Sequence, residues 1–269
     1  MNLKKIIRFM RVNYFISIFL ACIIFVGIVS VYKLFFTKPT FVYVKVKMGQ
    51  GLWWANTAKP SIWFVNNLKK GEIEQSLTGE PVAEILSVRY YPWWASGQYD
   101  VYLDMKLKVS GNEKTGKYNF KRSTIGVGAP IDLEFPQAQF SGTIINLNST
   151  PFKDDLVQRN VYLTKRNAYP WEYEAITVGD YFFDGENRII EILEKKAVDT
   201  IGLISDNFGN YTAEQTENKK YITVKAKITG KKVNNQFVIG EDQVVMLGKT
   251  LNISTANFTF QDYIVSKIE

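Results

Sequence analysis

Residues 123–147 read STIGVGAPIDLEFPQAQFSGTIINL, and residues 243–268 read QVVMLGKTLNISTANFTFQDYIVSKI. Laid side by side, they set Gly128 against Gly248, Ile131 against Leu251, Leu133 against Ile253, Phe140 against Phe260 and Ile144 against Ile264, each pair 120 positions apart. Two further blocks recur ahead of these. YLDMKLKVSG (102–111) returns as YITVKAKITG (221–230), and NNLKKGEIEQSLTGEPVAEIL (66–86) is echoed by AITVGDYFFDGENRIIEIL (175–193). The last pair matches Gly71 with Gly179, Gly79 with Gly185 and Glu84-Ile85-Leu86 with Glu191-Ile192-Leu193, at spacings of 106 to 108. Blocks that recur in one order mark a supersecondary unit used twice. The change of spacing places an insertion in the second copy, and the polar stretch 202–220 is read as that loop.

The repeated blocks have the period of strands. Leu103, Met105, Leu107 and Val109 share one face and Tyr102, Asp104, Lys106 and Lys108 the other; Ile222, Val224, Ala226 and Ile228 repeat the pattern. Alternation of this kind predicts antiparallel sheets with one buried and one wet face. FVYVKVKM adds Val42, Val44, Val46 and Met48 on one face at the start of the first copy. The expected architecture is mainly β: an N-terminal transmembrane helix followed by two tandem antiparallel β-barrel or sandwich modules, each of roughly six or seven strands. The divisions are a basic tail (1–13), an anchor (14–36), a first module (41–147), a linker (148–160) rich in turn formers, and a second module (161–269).

The net charge of +7 suggests nucleic acid until it is located. Residues 1–40 carry Lys4, Lys5, Arg8, Arg11, Lys33 and Lys38 and no acid, which leaves 27 basic against 26 acidic residues beyond them. The modules are therefore near neutral, and nucleic acid is not an expected partner. Between Tyr14 and Tyr32 lie YFISIFLACIIFVGIVSVY, 19 residues without a charge. As a helix this run is roughly 28 Å long, close to the thickness of a hydrocarbon core. The positive charges before it predict a cytoplasmic N-terminus and extracytoplasmic modules, with the lipid bilayer as partner of residues 14–36. No small-x-small cleavage context follows, so an uncleaved signal anchor is expected. Cys22 is the one cysteine and lies in that run, so the modules hold together without disulfides.

The order of the pieces LKKG (68–71), GEPVAEIL (79–86), VYLDMKLKV (101–109), VGAPIDL (127–133) and SGTIINL (141–147) resembles the uncharacterised bacterial single-pass membrane proteins of domain-of-unknown-function family 4330. ITVGD (176–180) and LGKTLNI (247–253) supply the matching pieces of a second copy. The resemblance implies topology and no activity, and this chain departs from it in its duplication and its tryptophan-bearing insertions. A looser similarity of layout, one membrane helix followed by a small barrel, is to lipid-transport modules of the mammalian-cell-entry type.

Catalytic constellations are scarce. The sequence has no histidine, which removes Ser-His and Cys-His catalysis and histidine zinc sites. Gly126-Val127-Gly128 lacks the Lys-Ser/Thr of a phosphate loop and reads as a turn. Asp180, Asp184 and Glu186 lack calcium-loop spacing, and Asp184-Gly185 is a hairpin turn by itself. Asp132 and Glu134 alternate with core residues and face water. No catalytic residue, metal or cofactor is expected.

What stands out is tryptophan. QGLWWANTAKPSIWF holds Trp53, Trp54 and Trp63; YYPWWASGQY holds Tyr91, Trp93 and Trp94; AYPWEYEA holds Tyr169 and Trp171. Rings near turns either seal barrel ends or form a binding patch. A Tyr-Pro-Trp triplet near a turn occurs at both 91–93 and 169–171, and the loops of the first copy flank strands that begin close to the anchor, which is compatible with a membrane-proximal patch. The expected function is that of an extracytoplasmic, membrane-anchored, non-enzymatic binding or scaffold protein with a protein partner or a second copy of itself. The alternative is a ring-forming component for transport of lipid or another hydrophobic ligand.

Overall fold

Alternation along the chain becomes sheet in the computed structural model, which describes residues 14–36, 40–49, 59–93, 97–112, 116–205, 208–209 and 211–269, with backbone only at 16, 31–36, 112, 201–205 and 211–218. The first half supplies β1 (Thr40–Met48), β2 (Ile73–Gln75), β3 (Pro81–Trp93), β4 (Gln98–Asn112), β5 (Lys117–Phe120), β6 (Ser123–Ile125), β7 (Pro130–Glu134) and β8 (Gln139–Asn148). The second half supplies β9 (Leu156–Ala168), β10 (Tyr181–Phe183), β11 (Arg188–Ser205), β12 (Tyr211–Val233), β13 (Gln236–Ile239), β14 (Gln243–Val244) and β15 (Ile264–Ile268). The helices among the described residues are α1 (Tyr14–Phe36), α2 (Ile62–Val65) and α3 (Pro170–Ala175). By contacts the chain divides into Met1–Thr40 and Phe41–Glu269.

Both halves of the larger unit have one strand order. The first sheet runs β2-β3-β4-β1-β8-β7; the second runs β10-β11-β12, with β9 against β12 and β15 against β9. Substituting β10, β11, β12, β9 and β15 for β2, β3, β4, β1 and β8 converts one path into the other. The sheets are antiparallel, and one curls into a half-barrel. The inward faces build two separate cores. Val44, Val46, Leu103, Met105, Leu107, Leu133 and Ile144 anchor the first. Leu163, Ile192, Ile222, Val224, Ala226, Phe260 and Val265 anchor the second. Each such aliphatic side chain contributes about 1.5–3 kcal/mol by leaving water.

Backbone hydrogen bonds fix which residues are counterparts. The amide of Gly71 donates to Ile85 O and that of Gly179 to Ile192 O, both at 2.8 Å. Gly128 N donates to Ile144 O at 2.7 Å, and Gly248 N to Val265 O at 2.8 Å. The counterpart of Ile144 is thus Val265 and not Ile264. Val265 is fully buried as Ile144 is, whereas Ile264 is 43% exposed. The second copy has one residue more between Phe260 and this strand, which a comparison at constant spacing cannot absorb.

Two other expectations are corrected. The stretch 202–220 is no loop: β11 and β12 continue through most of it, Ile201 pairing with Gln215 and Ser205 with Tyr211. Tyr102 and Asp104, placed on a wet face by alternation, are 2% and 9% exposed: the Tyr102 hydroxyl meets Asp242 of the second module, and Asp104 lies under Arg89, which Glu241 of the second module also reaches. The N-terminal run does form a helix, Tyr14–Phe36. Among the described residues, however, no helix is long and apolar enough to cross a membrane.

Candidate functional site

The seam between the modules begins with a turn. Asp184 follows β10, and its Oδ1 accepts from the amides of Glu186 (2.9 Å) and Asn187 (2.7 Å), an Asx-type closure. The turn lies on β3 of the first module. Tyr90 N donates to Asp184 O at 2.9 Å, and the Tyr91 hydroxyl donates to Asp184 Oδ2 at 2.8 Å. Gly185 has φ +106°, and a Cβ there would lie 2.4 Å from Val88 O, so the close approach requires glycine. Aromatic contact completes the joint: Tyr90 meets Phe182 edge to face at 6.0 Å, and Tyr91 packs on the second core.

Beside the turn is a cluster of charge, buried at Lys45, Arg89 and Asp104, half-buried at Lys231 and Glu241, and open to water at Asp154. Lys45 on β1, Arg89 on β3 and Asp104 on β4 come from the first module; Lys231 on β12 and Glu241, after β13, come from the second; Asp154 belongs to the connection between β8 and β9. Arg89 reaches Asp104 at 2.9 Å, Asp154 at 2.5 Å and Glu241 at 3.1 Å. Lys45 reaches Glu241 at 2.8 Å, and Lys231 reaches Glu241 at 2.7 Å and Asp154 at 2.9 Å. Three cations face three carboxylates, so the cluster is neutral as a whole, and its cross-links join both modules and the connection. A second pairing extends the seam, Lys47 reaching Asp100 at 3.4 Å and Asp242 at 3.1 Å.

Burial decides the ionisation of these groups. Desolvation lowers the Lys45 ammonium from its ordinary value against the pull of Asp104 and Glu241. It raises the Asp104 carboxyl despite Arg89 and Lys45. Burial also works to raise Asp154, but Lys231, Arg89 and Lys45 outweigh it and hold that carboxyl below its ordinary value. The arrangement is suited to locking two modules together, each charged group lying within 4 Å of an opposite charge, with Arg89 Nε and Asp104 Oδ1 left without a hydrogen bond.

Tryptophan follows a different geometry. Among the tryptophans and tyrosines singled out from the sequence, Trp53, Trp54 and Trp94 lie outside the described residues. The Tyr-Pro-Trp triplets are not counterparts: 91–93 is in β3, and 169–171 opens α3. The counterpart of Trp171 is Trp63. Phe64 N donates to Ser61 O and Glu172 N to Tyr169 O, both at 3.0 Å, so each tryptophan is the second residue of a short helix. Trp63 is 67% exposed and Trp171 59%. Tyr169 is exposed under the ammonium of Lys219, and Trp93 is half-buried under that of Lys59, each 3.1 Å from the ring centroid.

A cavity of about 450 Å³ next to Trp63 is lined by Met48, Gly49, Lys59, Pro60, Gln98 and Phe140. This rim lies at the Met48 end of β1, a strand's length of roughly 27 Å from the Phe41 end where the chain enters the module. Tyr91 leaves the patch altogether and serves the seam.

Sequence reasoning missed Lys45, Arg89, Asp104, Asp154, Lys231 and Glu241. One signal was available: SVRYY in β3 puts a lone arginine within an apolar and aromatic run. Its partners are distant in sequence and carried no mark. Among the described residues no group of three or more metal-ligating side chains is arranged to hold an ion. No family model, no curated protein and no solved structure matches the chain.

Proposed function

We propose that this chain is a single-pass envelope protein that binds a protein partner, or further copies of itself, through its duplicated β modules and without catalysis. In this reading α1 anchors the chain with its N-terminus in the cytoplasm, and the modules are extracytoplasmic. Its uncharged run and the basic residues before it support that placement. The topology of family 4330 proteins is the nearest expectation for such a layout.

One observation carries the binding role: Trp63 and Trp171 occupy the same position of the two modules, and both are well exposed. Trp63 meets Phe64 edge to face at 5.7 Å yet leaves most of its ring in water, and tryptophan is enriched among the residues that anchor interfaces. The seam supports a scaffold role, since it fixes the two surfaces within one body by Tyr91–Asp184 and the Arg89 cluster.

The test is the mass of the full-length chain extracted from its own membranes in a mild detergent, by light scattering with the micelle subtracted. The expected result is a defined mass above that of one chain, which drops to one chain when Trp63→Ala and Trp171→Ala are combined. A single-chain mass before substitution, or an assembly indifferent to it, overturns the reading.

A further inference from the structure

The extra residue of the second copy opens a cleft. In the first module β7 and β8 close as a continuous ladder, Pro130 with Thr143 through Glu134 with Gln139. The corresponding segments of the second module, 250–254 and 259–264, retain only the bridges Thr250–Ile264 and Ser254–Thr259. Phe260 N still donates to Ile253 O at 3.0 Å, so the hairpin is in register on its turn side. Beyond it the ladder is interrupted up to the Thr250–Ile264 bridge, and Asp262 there adopts φ +62°, a left-handed conformation that is costly for a non-glycine residue. Between the two bridges lies a cavity of about 370 Å³, within the size range of small-molecule sites.

Its walls have two characters. Leu251, Ile253 and Phe260, all but fully buried members of the second core, form the apolar floor, and Pro92 of the first module closes one side. Among its described lining residues Asp262 alone is charged, and it is exposed at the rim. The remainder is neutral and polar: Thr250, Asn252, Ser254, Thr259 and Gln261.

We propose that this cleft binds a small organic cation with an apolar body, an alkyl- or arylammonium, seated on Leu251, Ile253 and Phe260 with its ammonium at Asp262. An apolar floor selects the body by burial, and a single carboxylate at a rim selects positive charge over neutral and negative. The first module offers no counterpart, because its ladder is closed. The proposal is independent of the tryptophan surfaces: it uses none of their residues.

The test uses the full chain in lipid nanodiscs, with empty nanodiscs subtracted, and ligand-observed NMR with phenethylammonium, 2-phenylethanol and phenylacetate. These probes share a ring and differ in charge. Phenethylammonium is expected to bind about fivefold more tightly than the alcohol, the size of effect of one exposed ion pair, and phenylacetate more weakly than either. Asp262→Gly keeps the left-handed backbone while removing the carboxylate, and it should erase the preference but preserve binding of the alcohol. Deleting Asp262 restores the spacing of the first module and should abolish binding of all three. Equal binding of the three probes by the unaltered chain, or no binding at all, overturns the proposal. Unchanged binding after the deletion, with the fold intact by circular dichroism, overturns it as well.

Discussion

The hydroxyl of Tyr91 donates to Oδ2 of Asp184 at 2.8 Å, and with this bond a strand of the first module holds a turn of the second. The partners are 93 positions apart. Asp184 is fully buried, so its carboxylate depends on Tyr91 and on the two amides of its own turn. Burial, then the adjacent Asp184, pushes the Tyr91 hydroxyl far above its ordinary value, and it remains a donor at any physiological pH. Tyr91→Phe is expected to destabilise the seam by about 1–3 kcal/mol, the cost of leaving a buried acceptor short of one partner. Urea unfolding at neutral pH measures it.

Glycine at the joint provides a sharper comparison. Gly185 and Gly79 are counterparts with positive φ, but only Gly185 is pressed against a neighbour. A Cβ on Gly79 meets nothing within 4 Å. Gly79→Ala is expected to cost about 1 kcal/mol of backbone strain. Gly185→Ala should cost more and loosen the modules, seen as faster hydrogen exchange at the Tyr90 amide. Equal effects would show that the turn does not bear on β3.

Much of this arrangement was legible in the sequence, and the limits are physical. Strand faces were readable because alternation responds only to water and core: Leu103, Met105 and Leu107 are buried as their period requires. The same logic misplaced Tyr102 and Asp104, since nothing local says that a second module covers the outer face. Constant spacing paired Ile144 with Ile264, and one added residue moved the true partner to Val265. Trp63 and Trp171 both stand out in the sequence, yet their equivalence does not, because the helix starts share no residue except the tryptophan. The Arg89 cluster gathers side chains from four strands and two loops, and no spacing rule reaches across such distances.

Arg89 is 3% exposed and faces three carboxylates. Removing one partner of a buried ionic cluster leaves the others uncompensated. Arg89→Ala is expected to destabilise the larger unit by about 3–5 kcal/mol. Replacing Arg89 by Met together with Asp104 by Leu should cost less than Arg89→Ala alone, because it removes charge of both signs. A larger loss for the pair would contradict compensation as the basis of the cluster.

Acid should loosen the seam through Asp154. Its carboxyl lies below the ordinary value in the folded chain, so its contribution is complete above the unfolded value and is lost as pH falls through the folded one. Asp104, raised by burial, works in the opposite sense and stabilises the folded chain on acidification. Urea midpoints from about pH 6 to about pH 3 should fall less steeply in Asp154→Asn than in the unaltered chain, and more steeply in Asp104→Asn. Parallel curves in all three would remove these groups from the account.

The account rests most heavily on the exposed counterparts Trp63 and Trp171 as points of contact. The most direct measurement places a photo-crosslinking amino acid at 63, at 171, or at the exposed control Lys117 in the full chain, with irradiation in its native membranes. The account predicts one discrete adduct of the same partner from 63 and from 171, and none from 117. Silence at both tryptophan positions, or adducts equally abundant at the control, would contradict it.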